Sequence, residues 1–114
     1  MNACQKGKRG EREWRDVLRE HGYSARRGQQ FSGSPDSPDV ISSLPLHWEI
    51  KRVEKLNLND ACEQAARDAG GKAWAVAHRR NDCPWLVTVS AELFFSLVRG
   101  DYAGVGVDTD TTKL

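Results

Sequence analysis

The sequence predicts an α/β fold with its elements in the order α-β-β-β-α-β-β-α. Three observations carry that reading. Two segments repeat apolar residues with helical period: Trp14, Val17, Leu18 and His21 in one, and Leu58, Ala61, Cys62, Ala65 and Ala69 in the other. Between them, Trp48 and Ile50 alternate with Glu49 and Lys51, the period of a strand with one face toward a core. After the second segment, Ala73 to His78 is a nearly continuous apolar run, as in a strand covered on both faces.

Taken in order, the first helix runs from Lys8 to His21, with Gly22 as its C-cap. Gly7 and Gly10 lie on its apolar stripe, where the lack of a side chain allows close approach to a sheet. Tyr23 to Gln29 reads as a strand. Gly28 to Ser37, rich in Gly, Ser, Gln and Pro, reads as a mobile loop. Pro38 to Ser42 and Leu46 to Val53 are two strands joined by a turn around Ser43-Leu44-Pro45. The second helix is capped by Asn57 or Asn59, carries Asp60 and Glu63 in its first turn, and ends at Gly70-Gly71. Ala73 to His78 is the next strand, Asn81 to Pro84 a turn, and Trp85 to Val89 the last strand. Ser90 caps a final helix through Val98. Residues 1–7 read as a flexible N-terminus, residues 8–99 as one domain, and residues 100–114 as a flexible acidic tail.

A chain of 114 residues sets a prior of one domain with a thin core, which dimerisation often supplements. Charged residues make up 29% and hydrophobic residues 39%, within the range of soluble proteins, and no apolar stretch approaches membrane-spanning length. There is no signal-peptide pattern at the N-terminus. Cys4, Cys62 and Cys83 are odd in number and form no C-x-x-C, so neither a disulfide framework nor a zinc site is indicated, and a reducing cytoplasm is expected. The net charge is only +1, but Lys6 to Arg27 carries eight basic residues against four acids. A basic segment near converging carboxylates suits a polyanionic substrate with a metal ion between them.

The chemistry concentrates in Pro38-Asp39-Val40 and Glu49-Ile50-Lys51. Glu49 and Lys51 share a strand face, while Trp48 and Ile50 take the opposite one. If the two runs pair as a hairpin, Asp39 arrives beside Glu49, and two carboxylates and an ammonium converge. That set binds a hard divalent cation and directs it at phosphate. The chain also contains Pro35-Asp36; Asp39 is preferred because Val40-Ile41 continues it as a strand. Glu11 borders the buried stripe of the first helix, and Glu13 borders its other edge. Gln64 flanks the alanine stripe of the second helix, within reach of a phosphate or a nucleophilic water. Taken singly, Glu49 and Lys51 are weak evidence, Glu11 is equally at home pointing outward, and Gln64 reads more readily as an exposed structural residue.

Together they resemble a minimal PD-(D/E)XK nuclease, a restriction-endonuclease-like fold with an α-β-β-β-α-β core and a mixed sheet flanked by helices. Within that superfamily the chain is similar to archaeal-type Holliday junction resolvases and small phage-encoded endonucleases. The matching pieces are Lys6-Gly7, Glu11-Arg12-Glu13, Gly22-Tyr23-Ser24-Ala25-Arg26-Arg27, Ser32-Gly33-Ser34, Pro38-Asp39-Val40, Glu49-Ile50-Lys51 and Gln64. The resemblance implies a metal-dependent DNA endonuclease that acts on branched, four-way-junction DNA in recombination or repair, works as a homodimer, and resides in the cytoplasm, a host's if the chain is phage-borne. It implies Mg²⁺, replaceable by Mn²⁺, held by Asp39, Glu49, the Ile50 carbonyl and Glu11. Lys51 would orient or deprotonate the attacking water, with Gln64 beside it. Lys8, Arg9, Arg12, Arg26, Arg27, Ser32, Ser34 and Arg52 would contact DNA. The loop before Asp39 is shorter than in the archaeal resolvases, and the Asp39-to-Glu49 hairpin is tighter. Two rivals are a repair, nicking or restriction-like nuclease of the same fold and a non-catalytic DNA-binding module. Few residues remain for a separate recognition domain, which disfavours sequence-specific restriction; the intact Asp39/Glu49/Lys51 set disfavours a pure binder.

Overall fold

The computed structural model describes residues 3–28 and 38–100, with side chains described from Gly7 onward. Eight elements follow in the expected order: α1 (Ala3–Glu20), β1 (Ala25–Arg27), β2 (Val40–Ser42), β3 (His47–Arg52), α2 (Leu58–Ala69), β4 (Trp74–Arg79), β5 (Leu86–Thr88) and α3 (Ala91–Arg99). α1 begins at Ala3 rather than at Lys8, so the helix takes in most of the stretch expected to fray. β1 and β2 are shorter than expected: Tyr23, Ser24, Pro38 and Asp39 are not part of the strands, and Gln29 lies outside the described residues.

The strands form one mixed sheet in the order β1-β2-β3-β4-β5. Neighbours are antiparallel except β3 and β4, which run parallel with Glu49 opposite Val76 and Lys51 opposite His78. Parallel neighbours need a crossover, and α2 supplies it.

The period-2 pattern of β3 then sorts its side chains onto two helices. Trp48 and Ile50 face α1 and form a buried cluster with Trp14, Leu18, Val40, Ala75 and Ala77. Trp14 packs edge-on to Trp48 at 5.1 Å between ring centroids and against Trp85 at 5.2 Å. Truncating such a residue to alanine costs about 3–5 kcal/mol. On the other face, Ala61 and Ala65 of α2 pack on Val76. Their small side chains bring the helix close enough for its polar residues to reach the sheet. Asn57 is the residue that caps α2, accepting a hydrogen bond from the Asp60 N–H, and Gly70 ends the helix in the left-handed conformation at φ 59°.

Gly10 is where α1 approaches β3 most closely. A Cβ there would lie 2.8 Å from the Arg52 Cβ, so only glycine fits. At Gly7 a Cβ would meet nothing, so that glycine is not a packing requirement.

α3 is capped by Ser90, whose hydroxyl accepts from the Leu93 N–H, but none of its residues is buried. Phe94, Phe95, Leu97 and Val98 of α3 are exposed, as are Leu86 and Val87 of β5. Trp85, just before them in the chain, instead packs against the core around Trp14. No helix of the described residues is long and apolar enough to cross a membrane.

Candidate active site

The site is built on the hairpin of β2 and β3 and completed by one residue from each of the two flanking helices. Val40 pairs with Trp48, which sets Asp39 beside Glu49. The Asp39 N–H donates to the Trp48 carbonyl at 3.0 Å, and its side-chain Oδ2 accepts from the Ile50 N–H at 2.9 Å. Beyond Val40, then, the Asp39 carboxylate takes over a backbone partner on β3. The Asp39 carbonyl accepts from the Gly28 N–H at 2.9 Å. A Cβ at Gly28 would run into the Pro38 carbonyl, so a glycine is needed for the chain to pass this close to Asp39.

Glu49 is 4% exposed and points to the α2 side of the sheet. Lys51, one pleat along, places its Nζ 3.4 Å from Glu49 Oε1 and donates to Gln64 Oε1 of α2 at 3.1 Å. The ammonium has three donors. Two are directed at Glu49 and Gln64, and the third meets no partner among the described residues. The expected convergence of Asp39, Glu49 and Lys51 is therefore present in the structure, and Gln64 joins it from α2.

Glu11 joins from α1. Its carboxylate accepts from Arg27 Nε at 3.0 Å. Burial pushes the Glu11 carboxyl above its ordinary range, the Arg27 hydrogen bond opposes that, and the nearby charge of Asp39 raises it further. Glu49 is pushed up to about 7, chiefly by burial, then by Asp39, against the pull of Lys51. Asp39 thus lies close enough to repel both Glu11 and Glu49. Three carboxylates sharing one field, two of them disfavoured as anions, form an all-oxygen donor set that fits a hard divalent cation.

Two residues that sequence reasoning missed adjoin this set. Glu49 forms a second cluster with His47 of β3 and Asp68 of α2, whose ligand atoms all lie within 4.8 Å of one another. The signal was present but silent: His47, Glu49 and Lys51 alternate on one strand face, and Gln64 and Asp68 stand one helical turn apart.

The basic residues divide into exposed and engaged groups. Lys8, Arg9, Arg12 and Arg26 are exposed around the Glu11 end of α1 and the start of β1. Arg9 also pairs with Glu13, and Arg27 is half-buried against Glu11. Arg52 corrects an expectation. Its side chain is 5% exposed and donates to Glu13 at 2.9 Å and to Asn81 at 2.8 Å, so it is a buried structural cation rather than a DNA contact. Arg79 binds the same Glu13 carboxylate at 3.0 Å. Glu13 is therefore the centre of an ion cluster joining α1 to β3 and β4. Ser32 and Ser34 lie outside the described residues.

No protein-family model and no curated protein matches the chain. Among solved structures it is similar to Hjc of Archaeoglobus fulgidus, a Holliday junction resolvase from an archaeal hyperthermophile, with a TM-score of 0.57 and 27% sequence identity over 71% of this chain and 73% of that one. The mixed five-stranded sheet with three helices is thus a resolvase-like nuclease fold, consistent with the PD-(D/E)XK superfamily.

Proposed function

We propose that this chain is a divalent-metal-dependent DNA endonuclease that cleaves four-way junctions as a homodimer. The observation that carries the reading is the meeting of Asp39, Glu49 and Lys51 on one hairpin, within a fold similar to that of a Holliday junction resolvase.

Asp39 and Glu49, with Glu11 and the Ile50 carbonyl, would hold Mg²⁺ or Mn²⁺. The bound ion would neutralise charge on the scissile phosphate and help to activate a water. The remaining steps belong to the chain. Gln64 holds the Lys51 ammonium against Glu49, so it is already oriented when a phosphate arrives. Lys51 then offers a compact positive charge to the oxygens on which negative charge grows as water attacks phosphorus. Asp39 is locked to the Ile50 N–H, so little reorganisation is needed during the reaction. Lys8, Arg9, Arg12 and Arg26 present positive charge where the DNA backbone would run, and Arg27 links that surface to Glu11.

A two-fold symmetric substrate cut on two strands calls for two sites, which a dimer supplies. The open apolar face of β5 and α3 is the surface for it. The deciding assay sets a four-way junction beside linear duplex, flap and single-stranded DNA in Mg²⁺. Paired symmetric cuts in the junction support the proposal. Equal cutting of duplex and junction would keep the nuclease and remove the resolvase. No cutting of any substrate would favour a DNA-binding module.

A further inference from the structure

We propose that His47, Glu49 and Asp68 form a second divalent-cation site, on the α2 side of Glu49 and distinct from the Asp39 side. The site favours an ion that accepts a nitrogen ligand, Zn²⁺ first and Mn²⁺ after it, over Mg²⁺ or Ca²⁺. It stands on its own geometry and holds whether or not the chain cuts DNA.

The site is assembled by the match between a strand and a helix. His47 and Glu49 are two residues apart on β3 and share a face, separated by roughly 6–7 Å of strand. Gln64 and Asp68 are four residues apart on α2, about 6 Å along the helix axis. Gln64 meets Lys51 at 3.1 Å, and one turn further along the same helix face Asp68 arrives at His47 and Glu49. The contact that orients Lys51 thus sets the register that brings Asp68 onto the strand.

The resulting donors are one imidazole and two carboxylates, with ligand atoms all within 4.8 Å of one another. Donor atoms this close can converge on one ion by small side-chain rotations, to the usual 2.0–2.2 Å for N and O donors. His47 and Glu49 are 8% and 4% exposed, so two of the three ligands are held in place by packing. Asp68 is half-buried on the outer side, which leaves a path for an ion to enter. The donor chemistry sets the preference. Mg²⁺ and Ca²⁺ take oxygen donors, whereas an imidazole nitrogen draws Zn²⁺, and Mn²⁺, at home among carboxylates, accepts a nitrogen more readily than Mg²⁺ does. Such an ion would tie α2 to β3 and share Glu49 with the cation held on the Asp39 side.

The test is metal binding to the untagged, full-length chain, freed of metal and titrated with Mn²⁺ by calorimetry and pulsed electron paramagnetic resonance. A histidine ligand imprints ¹⁴N modulation on bound Mn²⁺. The other histidines lie elsewhere: His21 is exposed beyond α1, and His78 is bonded to Thr88. The expected result is two Mn²⁺ ions per chain, one of them nitrogen-coupled. Asp68→Asn, at a half-buried position, should keep the fold and weaken the nitrogen-coupled ion by about tenfold or more. Asp39→Asn should weaken the other ion and leave the nitrogen coupling in place. No nitrogen coupling in the unaltered chain at saturating Mn²⁺, or unchanged affinity for the coupled ion in Asp68→Asn, would overturn the proposal. DNA cleavage enters none of these readouts, so failure of the nuclease reading would be seen separately.

Discussion

The Asp39 carboxylate accepts a hydrogen bond from the Ile50 backbone N–H at 2.9 Å, and so a side chain of one strand fixes the edge of the next at the point where Glu49 and Lys51 emerge. Asn at this position keeps the acceptor oxygen and loses the charge. Asp39→Asn should therefore fold normally, bind DNA, and cleave at least about a hundredfold more slowly, as should Glu49→Gln and Lys51→Ala. Initial cleavage rates and a DNA-binding isotherm for each variant check this. A variant with full activity would remove that residue from the mechanism.

The raised carboxyl of Glu49 gives a pH test. Its ordinary value is 4.5 and burial takes it to about 7, so the folded chain retains a proton that the unfolded chain releases between those values. The metal-free fold therefore has this contribution in full below pH 4.5 and loses it as pH rises to 7, on the order of 3 kcal/mol. A cation reverses the sign, because it binds the ionised form. Mg²⁺ or Mn²⁺ should raise the melting temperature more at pH 8 than at pH 5.5, and EDTA should abolish both the rise and the cleavage. An equal rise at the two pH values would show that Glu49 is not a ligand.

Glu11 and Glu13 stand two residues apart on α1 and should fail in different ways. Glu11→Gln removes a carboxylate beside Asp39 and should lower cleavage with little loss of stability. Glu13→Gln leaves Arg52 and Arg79 facing a neutral group, with Arg52 5% exposed, and should cost roughly 3 kcal/mol of stability. By the same argument Arg52→Ala should lower the melting temperature and leave the salt dependence of DNA binding unchanged, whereas Arg26→Ala should reduce that dependence. Thermal unfolding and salt-titrated binding separate the two outcomes.

These contrasts mark where the sequence was legible. The convergence of Asp39, Glu49 and Lys51 could be read because it depends on local rules: strand alternation sorts Glu49 and Lys51 from Trp48 and Ile50, and a hairpin brings Asp39 across. The choice of Asp39 over Asp36 rested on the strand that follows it; Asp36 itself lies outside the described residues. Arg52 was misread because its partner, Glu13, is 39 residues away in sequence, and local charge does not reveal a pairing across the fold. The joining of Asp68 to His47 was invisible for a related reason. It depends on how far α2 slides along β3, which small alanines and the Lys51–Gln64 contact decide. Trp85 stands directly before Leu86 and Val87 in an apolar run, yet it packs on Trp14 while they remain outside, a sorting that the run alone does not reveal.

The last prediction concerns that outer face. Phe95 is 56% exposed and Val98 67%, on a helix with no buried residue, beside Leu86 at 56% on the edge strand β5. In the proposed dimer, this edge strand and apolar helix would be the docking surface that a second copy covers. Phe95→Glu with Val98→Glu should convert a dimer into a monomer, because the packing they provide would be replaced by like charges facing each other across a two-fold axis. Asp39, Glu49 and Lys51 do not involve α3, so each monomer should retain its site. The monomer should nick a four-way junction once per encounter where the dimer makes paired cuts, a difference that a supercoiled cruciform plasmid reports as nicked circles in place of linear product. Sedimentation of the unaltered chain as a monomer at assay concentrations, with paired cuts still made, would show that the apolar face serves another purpose.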